Sequence, residues 1–71
     1  MSLQEHITRR ETEILVLMAE GNPNKAIASR LGISTETVKK HLRNIYEKTG
    51  AQNKIEALNK TRQLTATLIA I

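Results

Sequence analysis

Apolar residues recur along this chain at helical spacing, and no two-residue alternation competes with them, so the pattern predicts an all-α protein. Ile14, Leu15, Leu17 and Met18 form the first stripe. Thr8 and Glu11 stand just ahead of it at the spacing of a capping box. There the threonine hydroxyl accepts from a backbone N–H of the first turn while the glutamate reaches back. Gly21 supplies the left-handed residue that commonly closes a helix, so helix one is expected from Thr8 to about Glu20. Pro23 and Asn24 reopen helical structure with Asn24 as the expected cap. Ile27, Ala28 and Leu31 are its inward stripe, and Gly32 ends it after about two turns.

A third helix follows at once. Ser34 is its expected N-cap, with Ile33 placed to touch Val38 as a hydrophobic staple across the first turn. Val38, Leu42 and Ile45, at i, i+4 and i+7, are the face that packs inward. This helix is predicted over 34–48 and closed by Gly50. Asn53 with Glu56 repeats the cap-and-return pattern for a fourth helix carrying Ile55, Ala57 and Leu58. From Leu64 to Ile71 the threonines and isoleucines suit either an extended segment or a continuation of helix four.

The chain has 71 residues and no cysteine, a size at which one core gives limited stability and for which disulfides and thiolate metal sites are not available. Dimerisation therefore enters early. Apolar runs never approach the roughly 20 residues of a membrane helix, and the N-terminus does not read as a signal peptide. A soluble, cytoplasmic protein without a membrane partner is the expectation. An enzyme fails on inventory: there is no aspartate, and two histidines and three scattered glycines provide neither a nucleophile–base set nor a phosphate-cradling loop. No cofactor or metal is expected.

Charge placement says more than the net charge of +4. Residues 22–54 carry seven cations (Lys25, Arg30, Lys39, Lys40, Arg43, Lys48, Lys54) against Glu36 and Glu47, a net of +5. The remainder carries four cations against five glutamates, a net of −1. A solvated helix face is the ordinary reading of such a run, whereas cations gathered on one surface are the footprint of a phosphate-binding protein. Two helices joined by a short glycine-containing turn, the second richer in cations, form the arrangement that presents a recognition helix to DNA.

Opposite the Val38 stripe project Lys39, Lys40 and Arg43, with Thr35, Glu36 and Asn44 near the same surface. Arginine and lysine donate to guanine edges in the major groove or grip phosphate, and the sequence leaves both uses open. Ser34, Thr35 and Thr37 in the first turn suit phosphate contact beside the free helix N–H groups, or ordinary capping. Asn24 and Lys25 open the helix expected to cross the DNA backbone. His41, beside Leu42, suits either a hydrogen-bonded structural role or a phosphate contact.

Taken together, Ile7-Thr8-Arg9-Arg10-Glu11, Gly21-Asn22-Pro23-Asn24-Lys25-Ala26-Ile27-Ala28, Leu31-Gly32-Ile33-Ser34 and Thr37-Val38-Lys39-Lys40-His41 resemble the LuxR/GerE-type helix-turn-helix domain. Asn53-Lys54 with Glu56-Ala57 resembles that family's opening of helix four. The resemblance covers about residues 7–60. It implies a four-helix domain of a bacterial transcription regulator, often the output domain of a response regulator or a quorum-type protein, with double-stranded promoter DNA as partner and RNA polymerase as a further one. It also implies that Lys39, Lys40 and Arg43 approach bases and phosphates, that Asn24, Lys25 and Thr37 contact the backbone, and that helix four (Ile55, Leu58, Thr61, Arg62) is a homodimer surface. Ala26 stands where the family usually has an acidic residue, Ile7 where it has leucine, and Lys54 where arginine is usual. The last exchange weakens a fork-like ion pair, and Asn59, Lys60, Thr61 and Arg62 make this helix four rather polar.

The organisation expected is an N-terminal arm at 1–6, in part a cloning remnant ahead of a domain cut from a longer regulator, then the domain at 7–64 with its helix-turn-helix at 22–45, and an apolar C-terminal tail at 65–71. The competing reading is a helical protein-interaction module that no longer binds DNA. A basic membrane-surface helix is poorer still, because helix three lacks a broad aromatic and apolar face.

Overall fold

The computed structural model describes residues 7–62, which form four α-helices: α1 (Arg9–Ala19), α2 (Asn24–Leu31), α3 (Thr35–Thr49) and α4 (Lys54–Lys60). Among the described residues there is no strand. The expected arm at 1–6 and tail at 65–71 lie outside the described residues.

Each boundary has a local cause. At α1 both halves of the capping box are present: the Glu11 N–H donates to Thr8 Oγ1 at 3.1 Å, and the Thr8 N–H donates to Glu11 Oε1 at 2.9 Å. The far end closes over Gly21 (φ 92°), after which the Asn22 backbone and side-chain amides both donate to the Leu17 carbonyl at 3.1 and 2.9 Å. Pro23, not Asn24, is the N-cap of α2. Its carbonyl accepts the first helical bond from the Ile27 N–H at 3.0 Å, its ring fixes φ near the helical value, and the Asn24 side chain turns elsewhere. Ser34 caps α3 through Thr37 N–H at 3.1 Å, and Gly50, at φ 74°, closes that helix one residue beyond the predicted end. Asn53 caps α4 as expected, with Glu56 N–H donating to its Oδ1 at 2.9 Å. The return bond lands one residue earlier, from the Gln52 N–H to Glu56 Oε1.

The helices enclose one aliphatic core. Ile14, Leu15, Ile27, Val38, Ile45 and Ala57 are fully buried, and Ile7, Met18, Ala28, Leu42 and Ala51 nearly so. Leu17, Leu31, Ile33, Tyr46 and Leu58 pack around it half-buried. Each large aliphatic side chain removed from water contributes roughly 1.5–3 kcal/mol, offset by chain entropy that leaves small domains marginal.

Two polar side chains join this interior. Thr61 is 1% exposed, which corrects its placement on an outward surface of helix four. It follows Ala57 by one turn and so shares the inward face, and its hydroxyl donates to the Ala57 carbonyl at 2.7 Å, the back-bonding that makes its burial tolerable. Glu11, 2% exposed, is buried because its carboxylate meets Lys48 from the end of α3.

Candidate nucleic-acid interface

The turn between α2 and α3 is short and closed. Gly32 sits in the left-handed region at φ 68°, and the Ile33 N–H donates to the Ala28 carbonyl at 3.0 Å. The α2 and α3 helices pack against each other more extensively than any other pair. Val38, Leu42 and Ile45 point into the core as expected. With each residue turning by about 100° around the axis, Lys40 and Arg43 fall on the outer face, Lys39 on one flank, and Thr37, His41 and Asn44 on the other.

Exposure follows that geometry. Lys39, Lys40, Arg43 and Lys25 are exposed, whereas Asn24, Thr35, Thr37, His41 and Asn44 are half-buried. Ser34 is exposed, but its hydroxyl is engaged by the Thr37 N–H and lies 2.9 Å from the Thr37 hydroxyl, so the pair acts first as a helix cap. Lys39 has Glu36 at 3.7 Å, an exposed pair of little energetic weight. Within the basic stretch Lys48 stands apart: its ammonium is bound to Glu11 at 2.7 and 2.9 Å, which removes it from the outward charge.

Burial by itself raises the Glu11 carboxyl's pKa. The hydrogen bond from Lys48, that from the Thr8 backbone, the ammonium charge and the Thr8 hydroxyl outweigh it and hold the group below its ordinary range. Tyr46, whose phenol is pushed up by burial, lies on the same flank of α3 as Lys39.

On that flank α2, α3 and α4 meet. The Lys54 ammonium donates to Asn24 Oδ1 at 3.0 Å across 30 residues of sequence, and Asn24, Lys39, Leu42, Arg43, Tyr46 and Lys54 line an open groove of about 360 Å³. The sequence motifs named Asn24, Lys39 and Arg43 but missed Lys54 and Tyr46 here. The only sequence signal for Lys54 was its place among the cations of residues 22–54; its bond to Asn24 crosses 30 residues and is not encoded locally. Lys60 is likewise engaged, donating to the Thr49 carbonyl at 3.2 Å. The described residues contain no group of side chains able to hold a metal ion and no helix long and apolar enough to cross a membrane.

Comparison with known proteins agrees with this arrangement. The family profile described as bacterial regulatory proteins, luxR family, matches residues 5–61. The chain is 48% identical over 54 residues to a probable transcriptional regulatory protein SgaR of Hyphomicrobium methylovorum, covering 76% of this chain and 26% of that protein. It is 47% identical over 55 residues to the monoamine regulon transcriptional regulator of Klebsiella aerogenes, covering 78% and 24%. It is 38% identical over 58 residues to the HTH-type transcriptional regulator MalT of Serratia proteamaculans, covering 82% and 6%. The chain thus spans about a quarter of the first two relatives and far less of the third. No solved structure gives a significant match. With four helices, a tight α2–α3 turn and a profile match over most of its length, the chain belongs to the luxR family of bacterial regulatory proteins.

Proposed function

We propose that residues 7–64 form a sequence-specific DNA-binding domain of a transcription regulator, with α3 entering the major groove of double-stranded promoter DNA. The observation that carries this reading is the exposed set Lys39, Lys40 and Arg43 on a helix whose other face is locked into the core by Val38, Leu42 and Ile45. A helix so held presents base-reading side chains in a fixed register. Lys25, Asn24, Ser34, Thr35 and Thr37 lie at the starts of α2 and α3, where backbone phosphates pass in such docking, and His41 and Asn44 complete the flank of α3. The regulator names of the relatives support the same reading.

The whole protein is read as a cytoplasmic two-component or quorum-type regulator of which this is the output domain, acting at promoters with RNA polymerase. Pairing of two copies through α4 would use Ile55, Leu58 and Arg62. Ile55 is 72% exposed, whereas Thr61 is internal.

Selection of bound duplexes from a random pool, followed by footprinting and titration at two salt concentrations, tests the reading. A recovered motif with affinity that falls steeply as salt rises supports it. Absence of any enriched sequence, together with a salt-insensitive protein partner, would replace it with the interaction-module reading.

A further inference from the structure

The groove where α2, α3 and α4 converge concentrates charge that the fold compensates only in part. Its lining contains three cations, Lys39, Arg43 and Lys54, and no carboxylate. Leu42, buried, and Tyr46, half-buried, give it an apolar wall. The Glu36 partner of Lys39 stands off at 3.7 Å and is itself exposed. The Lys54 ammonium donates to a neutral acceptor, Asn24 Oδ1, which draws it toward the start of α2 without cancelling its charge. An ammonium has three donors, and one bond to Asn24 leaves two for another acceptor. Lys54 begins α4, outside the helix-turn-helix unit, yet it reaches the start of α2, the element that crosses the DNA backbone in this mode of docking.

We infer that Lys54, with Lys39 and Arg43, grips one backbone phosphate of the bound duplex in this groove, so that α4 supplies a DNA contact from outside the helix-turn-helix. The inference rests on the DNA-binding reading above. A phosphodiester neutralises the converging cations and fits a groove open to solvent on one side. The contact carries no base information and positions α3 against the duplex.

Anisotropy titrations of the 71-residue chain on its selected duplex and on a random-sequence duplex, each at several salt concentrations, test it. Lys54→Gln keeps a hydrogen-bonding group near Asn24 and removes the charge, Lys54→Arg keeps the charge, and Arg10→Gln removes a charge from α1, outside the groove. All three alter exposed or half-buried side chains, leaving the core intact. The expected result is that Lys54→Gln weakens both duplexes by a similar factor, roughly five- to tenfold at about 0.1 M salt, and lowers the slope of log affinity against log salt by about 0.9. Lys54→Arg restores that slope and Arg10→Gln leaves it unchanged. Wild-type affinity and slope in Lys54→Gln, beside weakened binding in Lys40→Ala, would overturn the inference and leave the DNA-binding reading standing. Loss confined to the selected duplex, at unchanged slope, would make Lys54 a base reader and equally overturn it. Failure of the unaltered chain to bind either duplex would remove the DNA-binding reading and this inference together.

Discussion

Lys48 at the end of α3 places its ammonium 2.7 and 2.9 Å from the two carboxylate oxygens of Glu11 in the first turn of α1, closing the domain across 37 residues of sequence. The same carboxylate accepts the Thr8 N–H, so one buried side chain caps α1 and anchors the end of the helix proposed to read DNA.

Replacing Glu11 with glutamine is expected to keep the cap and lose the ion pair. A pair of this kind, with the lysine side chain still 30% exposed, is worth about 1–3 kcal/mol, less than the 3–5 kcal/mol lost when a fully buried pair is broken. Because the folded carboxyl titrates below its unfolded value, the contribution is complete above the unfolded pKa of about 4.3 and is lost as pH falls through the lower folded value. Urea melts from pH 7 to pH 3 should therefore show the two proteins converging in acid. A parallel pH dependence of both would show that the pair does not contribute in this way.

Val38→Asp is expected to abolish the folded state. Val38 has no exposed surface, and an unpaired carboxylate there costs several kcal/mol, comparable with the whole stability of a domain this small. A cooperative thermal melt like that of the parent, followed by circular dichroism, would refute the packing of α3.

Lys40→Ala should leave the melt unchanged and weaken DNA binding by about 1–3 kcal/mol, because Lys40 is exposed on the side of α3 away from the core. Comparison across single-base variants of the selected site distinguishes its use: relaxed preference at one position marks a base contact, and a uniform loss marks a phosphate contact. Unchanged affinity on every duplex would contradict the assigned face.

Ile55→Arg should be silent in the melt of the isolated domain, since the side chain is 72% exposed. On a duplex with paired half-sites the proposed α4 contact predicts that it weakens cooperative occupancy by the second copy while leaving single half-site affinity intact. Equal cooperativity in sedimentation and gel-shift titrations would exclude Ile55 from the pairing surface.

The fold was legible where its determinants are local. The capping box at Thr8–Glu11, the glycine stops and the Val38–Leu42–Ile45 stripe each lie within a few residues, and all appear as read. Most of what the sequence did not disclose depends on distant partners, Thr61 excepted, whose acceptor Ala57 lies one helical turn away. Lys48 counted as outward charge until Glu11 met it, Thr61 counted as surface until Ala57 accepted its hydroxyl, and Asn24 counted as a cap until Lys54 claimed its oxygen. Periodicity assigns a face to each helix but does not say which polar chain on that face finds a partner from another one.

The left-handed Gly32 turn has one further consequence. Because only Gly32, at φ 68°, Ile33 and Ser34 join α2 to α3, and the Ile33 N–H donates to the Ala28 carbonyl, the angle between the two helices is set when the chain folds. If α2 crosses the DNA backbone and α3 reads the groove as proposed, association would spend little conformational entropy on alignment, and an operator that departs from the ideal groove would have to bend to meet the protein, so flexible pyrimidine–purine steps beside the contacted bases would favour binding without being touched.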